Sequence, residues 1–350
     1  MYLEKRKTKS GVKYYLAHSF REGGKVHKSR VYLGSNLDPK ILSERELRAK
    51  DLLSQQLNSF KIIRSPINYK FSKREQELVK KLKAKAKLKV IHLTEQDWGR
   101  FTELFTYNTN AIEGGTITQE EVFDILAQNK WPHTKPKEDI SETYGVSEAV
   151  KYIRKTKEHL SLDLMLELHR IIFNNSKSYA GEFRKRGTEV GIKDGSGNIV
   201  HLGAPSGRVV ALLTELVKWY RLNKNKIPPI VLAAVIHNQF EYIHPFEDGN
   251  GRVGRLLLNN ILIKNKMPPV NIQLENRKEY YEVIRLFQRD GDIRPTIELM
   301  LREFKKLEKE LKKEEKIDKE EMKKFKKLNR VSNKKIKNNK KKKNKNKKKI

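Results

Sequence analysis

Along the chain, apolar positions change their spacing twice. In the first 40 residues they alternate with polar ones at strand period, over Tyr2–Arg6, Val12–Phe20 and Val26–Gly34. Lys9-Ser10-Gly11 and Glu22-Gly23-Gly24 separate these runs with turn chemistry, which predicts a small three-stranded meander. Helical spacing with many charges follows over Leu42–Phe60 and Ser72–Leu88, and then continues almost without a break from Glu95 to about Phe304. One stretch interrupts it. Glu189–Val200 places two short β-branched runs around Asp194-Gly195-Ser196-Gly197, a hairpin signal. From Lys305 a charged helical pattern grades into lysine-rich sequence, and no internal repeat occurs. The expected fold is mainly α. It divides into a basic β-meander over 1–40, a charged helical linker over 41–98, a helical core over 99–305, and a charged helix with a Lys-rich tail over 306–350.

Composition narrows the class. With 350 residues, 37% of them hydrophobic, the chain can bury a sizeable core. It has no cysteine, which removes disulfide and thiol chemistry and suits a reducing cytoplasm. MYLEKRKTKSG carries no apolar signal core and no run of 18 apolar residues occurs, so neither secretion nor membrane insertion is expected. Net charge is +33, and Met322–Ile350 holds 16 Lys or Arg with no acid. Such a block cannot fold by itself, and it attracts polyanions such as nucleic acid through counterion release. A tail that merely solubilises the chain would read the same way. The first 34 residues are also basic, with nine Lys or Arg against two acids, but contain no base-reading motif.

Chemistry concentrates in His237–Asn260, HNQFEYIHPFEDGNGRVGRLLLNN. A helical pattern over Ile230–Tyr242 should stop before Pro245, and another resumes at Arg252 and runs to Lys264. The loop between them, His244–Gly251, is glycine-rich and leads into a helix N-terminus, where exposed N–H groups favour anions. Gly249, Asn250 and Gly251 would form that nest. Arg252 and Arg255 lie three apart on one helical face and suit a polyphosphate. Asp248 suits Mg²⁺, which needs few protein carboxylates when phosphates supply the rest. His244 can accept a proton near neutral pH, and Phe246 should point inward to pin the loop. A metal pair of His237 and His244 lacks further ligands. The absence of GxxxxGK[ST] argues against a P-loop phosphotransferase.

The run His244-Pro-Phe246-Glu-Asp248-Gly249-Asn250-Gly251-Arg252-Val-Gly-Arg255 resembles the full signature of the Fic family, HxFx[D/E]GNGRxxR. The resemblance spans roughly Phe101–Phe304. It implies a helical Fic core with a β-hairpin flap and a protein adenylyltransferase. Such an enzyme moves AMP from ATP to a Ser, Thr or Tyr hydroxyl of a target protein, with pyrophosphate leaving. In that setting His244 is the general base and Asp248 the Mg²⁺ ligand. Gly249, Asn250, Gly251, Arg252 and Arg255 hold the phosphates. The hairpin over 189–200, preceded by Gly181-Glu-Phe183-Arg184, is similar to the family's flap, which clamps a target by strand addition. Val190, Gly191, Ile192 and Lys193 then lie against nucleotide and target. Tyr280 and Tyr281 resemble the wall of the adenine and ribose site, although any amphipathic helix with two aromatics would look alike. Gln288 stands where relatives of the animal endoplasmic-reticulum type carry Asn.

Upstream, Thr109-Asn-Ala-Ile-Glu113-Gly114 resembles the [S/T]xxxE[G/N] motif of the class with an N-terminal inhibitory helix, here about 104–114. Thr109 and Glu113 share a helical face, and Gly114-Gly115 should end the helix, leaving Glu113 at its C-terminal turn. The resemblance pairs Glu113 with Arg255 and so implies autoinhibition. It also admits removal of AMP at the same site, and a homodimer. From a different class, a nucleic-acid-associated regulator whose core senses nucleotide would also explain the basic ends.

Overall fold

Strands β1 (Tyr2–Thr8), β2 (Gly11–Glu22) and β3 (Lys25–Ser35) pair antiparallel in that order in the computed structural model. It describes residues 1–8, 11–22, 25–63, 73, 77, 93–193, 199–307, 309 and 310. The meander is the one expected, with Leu3 opposite Leu16 and Leu16 opposite Val31. Strand alternation sends Leu16, Val31 and Leu33 to one side, where they pack on Ala49 and Leu53 of helix α1 (Pro39–Ile63). Leu202, from the hairpin far along the chain, is buried in the same cluster. Positions 9, 10, 23 and 24 of the expected turns, most of the Ser72–Leu88 pattern, the Asp194–Gly197 turn and the tail from Met322 lie outside the described residues.

The helical body begins with α2 (Glu95–Ile112), which is longer than the 104–114 expected from its motif. A capping box starts it: the Asp97 amide donates to Thr94 Oγ1 at 3.1 Å, and the Thr94 amide donates to Asp97 Oδ2 at 2.7 Å. It ends at Glu113, before Gly114 with φ +95°. Helices α3 (Gln119–Gln128), α4 (Lys137–Lys155) and α5 (Leu162–Phe173) follow. Then comes the flap, an antiparallel pair of β4 (Gly191–Lys193) and β5 (Ile199–Leu202). The chain continues through α6 (Val209–Asn223), α7 (Pro229–Ile243), α8 (Asn250–Lys264) and α9 (Arg277–Asp290), and a further helix begins at 294.

Helices α7 and α8 form the centre. Every residue over 230–243 and over 250–262 is buried. The spacing in the sequence predicts one apolar face, yet the other faces are covered too, as expected for a helix enclosed by its neighbours. Truncating the fully buried Leu257 to alanine would cost about 2–5 kcal/mol. Enclosure also takes His237, Asn238, Gln239 and Glu241 out of solvent; His237 meets the Tyr280 hydroxyl and Asn238 donates to Thr296. Met1–Glu303 forms one compact unit; residues 304–307, 309 and 310 are helical and belong to a second. Among the described residues no helix is long and apolar enough to cross a membrane.

Candidate active site

Helix α7 stops at His244, whose backbone turns left-handed with φ +51° while its amide still donates to Phe240 O at 2.9 Å. Pro245 follows and lacks the N–H to continue a helix. The loop is then pinned from within. Asn250 Oδ1 accepts from the Phe246 amide at 2.8 Å, and Asn250 Nδ2 donates to Phe246 O at 2.9 Å. Phe246 is fully buried and stacks on His169 with ring centroids 4.0 Å apart. Gly249 has φ +81°, and a Cβ there would lie 2.2 Å from the Phe173 ring, so only glycine fits. Helix α8 therefore begins at Asn250, two residues before the Arg252 start read from the sequence.

The His244 ring is partly buried at the mouth of this loop. Its Nδ1 lies 3.1 Å from Glu241 O, a group that can only accept, so Nδ1 carries the hydrogen and Nε2 the basic lone pair. Burial pulls its pKa down to about 4, against the opposing pull of the Glu241 carbonyl, and the ring is neutral at pH 7. The peptide on which it sits is held by Arg184. That guanidinium donates through Nε to His244 O at 2.8 Å, through Nη1 to Thr188 O at 2.9 Å, and through Nη2 to Ala204 O and Ile243 O. Thr188 and Ala204 bracket the flap, so one fully enclosed arginine ties both flap ends to the residue expected to act as base. Burial lowers the Arg184 pKa to about 10, opposed by Glu189, and it remains charged at neutral pH.

The two motif arginines are both engaged. Arg255 donates through Nε to Thr109 Oγ1 at 2.7 Å and through Nη1 to the Tyr280 hydroxyl at 3.1 Å. Its Nη2 donates to Thr109 O at 3.0 Å and to Glu113 Oε1 at 2.8 Å. Burial opposes its charge, but Tyr280 and Glu113 outweigh that and hold its pKa above the usual range. Glu113 Oε1 also lies 2.1 Å from where a Cβ on Gly251 would stand, so the carboxylate occupies space left by that glycine on the first turn of α8. Arg252 instead bonds Glu142 and lies over the Phe173 ring, 4.5 Å from its centroid, while its buried Nε has no hydrogen-bond partner among the described residues. A ring of alternating charge results. Arg252 Nη2 is 3.5 Å from Asp248 Oδ1, and Lys177 Nζ is 3.6 Å from Asp248 Oδ2 and 3.8 Å from Glu142 Oε1.

Asp248 accepts from the Gly249 amide at 2.6 Å, and its side chain is 45% exposed. Among the described residues no group of three His, Asp or Glu could cage a metal. Asp248, paired with Arg252 and Lys177 yet half exposed beside an anion nest, is a single carboxylate of the kind that suits Mg²⁺ bound chiefly through phosphates.

The expected nucleotide wall is arranged differently from the helix face that the sequence suggests. The Tyr280 hydroxyl is buried between Arg255 and His237 Nε2, the latter at 3.0 Å, and Tyr281 donates to Ile112 O at 3.4 Å. Gln288 lies two turns further along α9, with its buried Nε2 unpartnered among the described residues. In the flap, the backbones of Gly191, Ile192 and Lys193 pair with Leu202, His201 and Ile199, and Val190 O accepts from the Gly203 amide at 3.1 Å. Sequence reasoning did not find Glu142, Lys177 or Glu241. The first two are single charges among 119 in the chain and have no distinguishing spacing. Glu241 sits inside the motif region, fully enclosed beside Gly254, and burial raises its pKa to about 8 despite the nearby Arg255.

Residues 159–262 match the model of the Fic/DOC family. Over 203 residues the chain is 34% identical to "Protein adenylyltransferase Fic" of Nematostella vectensis, covering 56% of this chain and 45% of that protein. The Drosophila mojavensis protein of the same name is 32% identical over 196 residues, covering 55% and 37%. The chain thus spans less than half the length of these curated relatives. Among solved structures, a Fic domain containing signaling protein from Bacteroides thetaiotaomicron superposes with a TM-score of 0.54 at 28% identity, covering 63% of this chain and 85% of that one. Fic-1 of C. elegans gives 0.54 at 25% identity, covering 80% of each.

Proposed function

We propose that the chain, whose residues 159–262 match the Fic/DOC family model, is a protein adenylyltransferase restrained by its own Glu113. A target hydroxyl, held by strand addition to the flap, attacks the α-phosphorus of ATP. Its proton passes to His244 Nε2 as the bond from the α-phosphorus to the bridging oxygen breaks and pyrophosphate leaves. Neutral His244 in the Nδ1–H tautomer supports this role. The Gly249–Gly251 turn and Arg252 would receive the phosphates, and Asp248 would hold Mg²⁺, which supplies charge neutralisation there.

The observation that carries the reading is that an anion already lies in this cradle. Glu113 Oε1 rests against Gly251 and bonds Arg255 at 2.8 Å, as a terminal phosphate oxygen would. ATP and Glu113 then compete for one arginine, which defines the brake. The same carboxylate supports a second activity at this site, orientation of a water that returns AMP and the free hydroxyl of a modified target. Incubation with ATP labelled at the α-phosphate tests the proposal: covalent label on the protein or a target is expected, and label carried by the γ-phosphate instead would sink it.

A further inference from the structure

The N-terminal sheet turns Leu16, Val31 and Leu33 onto α1, so strand alternation sends the intervening side chains to the opposite, outer face. That face carries Arg6, Lys13, Arg21, Lys28 and Arg30 across its three strands. Its one acid is Glu4, which is bonded to Lys28 at 2.5 Å and to Arg6 at 2.7 Å and is only 17% exposed. The aromatic groups are interleaved with the cations. Arg6 and Arg30 lie 5.4 and 5.5 Å from the Tyr15 ring centroid, Lys28 lies 5.2 Å from that of Tyr2, and the rings of Tyr15 and Tyr32 are 5.2 Å apart. Tyr32 is 50% exposed, on a face that no other described element covers.

Self-pairing does not explain this surface. Five cations against one acid repel each other, and a sheet face kept in water for solubility alone has no reason to expose tyrosines among one sign of charge. A guanidinium within about 6 Å of a tyrosine ring is attracted by the ring, and its planar group offers paired donors to bidentate acceptors. Three strands span about 10 Å between their outer axes. That width suits the B-form major groove, about 12 Å wide. The A-form major groove is too deep and narrow to admit it. Shape therefore favours the DNA major groove over the RNA major groove, and because A-form RNA also has a wide, shallow minor groove, duplex RNA is an arm of the test.

We infer that the outer face of β1–β3 docks double-stranded DNA in the major groove, with Arg6, Lys28 and Arg30 on phosphates and base edges and Tyr32 against the backbone. The opposite face shares its apolar cluster with Leu202 of the flap strand β5, so the docked sheet and the flap are parts of one packed body. The partner sits on the side of the sheet away from that strand. This inference stands on the sheet and not on the transfer chemistry.

The test uses the full chain, because the lysine-rich tail also attracts polyanions and must be present in every arm. A photocrosslinking phenylalanine is placed at Tyr32, and as a control at Leu47, which is 65% exposed on α1. Irradiation with a 20-base-pair DNA duplex should give a covalent adduct from position 32 and far less from position 47. In parallel, Lys28→Ser/Arg30→Ser should weaken binding to that duplex at least tenfold and lower the salt slope by about two, near 0.9 for each phosphate no longer neutralised. Its melting temperature and self-labelling should stay at wild-type values. Equal crosslinking from both positions overturns the inference. So does an affinity unchanged by the double substitution, or equal losses for DNA, duplex RNA and heparin, which would mark the face as a general polyanion surface.

Discussion

Arg255 spreads its donors over four bonds, and only one of them involves Glu113. Removing that carboxylate leaves both bonds to Thr109 and the bond to Tyr280, so the guanidinium keeps its place and gains an open donor facing the first turn of α8. The size of the effect follows from the bond removed. A hydrogen bond between charged groups contributes about 1.5–3 kcal/mol, and at about 1.4 kcal/mol per tenfold the upper end is roughly 100-fold. Two features pull the value down. The Glu113 side chain is 28% exposed, so water screens the pair. It also sits at the C-terminal end of α2, where a negative charge opposes the helix dipole by about 0.3–1 kcal/mol. Glu113→Gly should therefore raise self-labelling about 10- to 30-fold, the lower part of that range.

The assay is initial incorporation from α-labelled ATP by wild type, Glu113→Gly, Glu113→Gln and Glu113→Gly/His244→Ala. Glutamine keeps the shape and loses the charge, so it should fall between wild type and glycine. Any release of AMP from a modified target should vanish with Glu113→Gly, because the group that orients water is gone. Rates for wild type and Glu113→Gly that agree within twofold would refute the brake, and label surviving in the double variant would refute the site.

Other substitutions probe the supports. His244→Ala should lower transfer by about 10²–10⁴-fold while calorimetry still detects ATP binding; in wild type the acid limb of kcat/KM should fall near pH 4, where the buried ring is protonated, and a limb at the ordinary histidine value would contradict burial as its cause. Arg184→Lys keeps a charge but not the fork that reaches His244 O and Thr188 O, so kcat should fall by roughly 10² with KM for ATP unchanged, as for a catalytic group displaced by about 1 Å. A parallel loss of ATP affinity would show instead that Arg184 shapes the nucleotide site. Glu241 binds its proton more tightly folded than unfolded, with a pKa of about 8 against an ordinary 4.5, so its contribution to stability is full below pH 4.5 and declines as pH rises toward 8. Glu241→Gln removes that decline, and its melting temperature relative to wild type should climb between pH 5 and 8; a constant difference would show that the carboxyl is ionised throughout.

Much of this arrangement is legible in the sequence because its signals are local. Pro245, the glycines and the resumption of helical spacing mark a loop between two helices, and the 109–113 spacing sets Thr109 and Glu113 on one face, where both now touch Arg255. The meander shows in its strand period. What the sequence withholds is non-local. Glu142 reaches Arg252 across 110 positions, and neither residue type nor spacing singles it out among the chain's acids. Burial of every residue over 230–243 and 250–262 is also hidden, because an apolar stripe has the same spacing whether its far side meets water or another helix. Enclosure is what shifts His244 and Glu241 in opposite directions, so the electrostatic character of the site is a property of the packing around it.

The same distinction separates the motif from the machine that holds it. Between His244 and Arg255, Asn250 closes the turn on Phe246 by bonds that travel with the motif, whereas His169, on which Phe246 stacks, comes from α5. The rest of the geometry is imposed from outside. Arg184 fixes the His244 peptide to both ends of the flap, Glu142 and Lys177 steady Arg252 and Asp248, and Thr109 and Tyr280 hold Arg255. A displacement of the flap therefore reaches His244 through the buried Arg184 guanidinium and through the backbone bond from the Ala204 amide to Ile243 O at 3.1 Å. Leu202 ends the flap strand inside the core of the N-terminal sheet, so that sheet bears on the same guanidinium through Ala204, two residues on. The N-terminal sheet and the His244 loop are thus joined through Leu202, Ala204 and the side chain of Arg184, beside the Ala204–Ile243 backbone bond. Arg184→Lys removes only the side-chain part of that link, which is why its expected effect is a lower kcat and not loss of the fold.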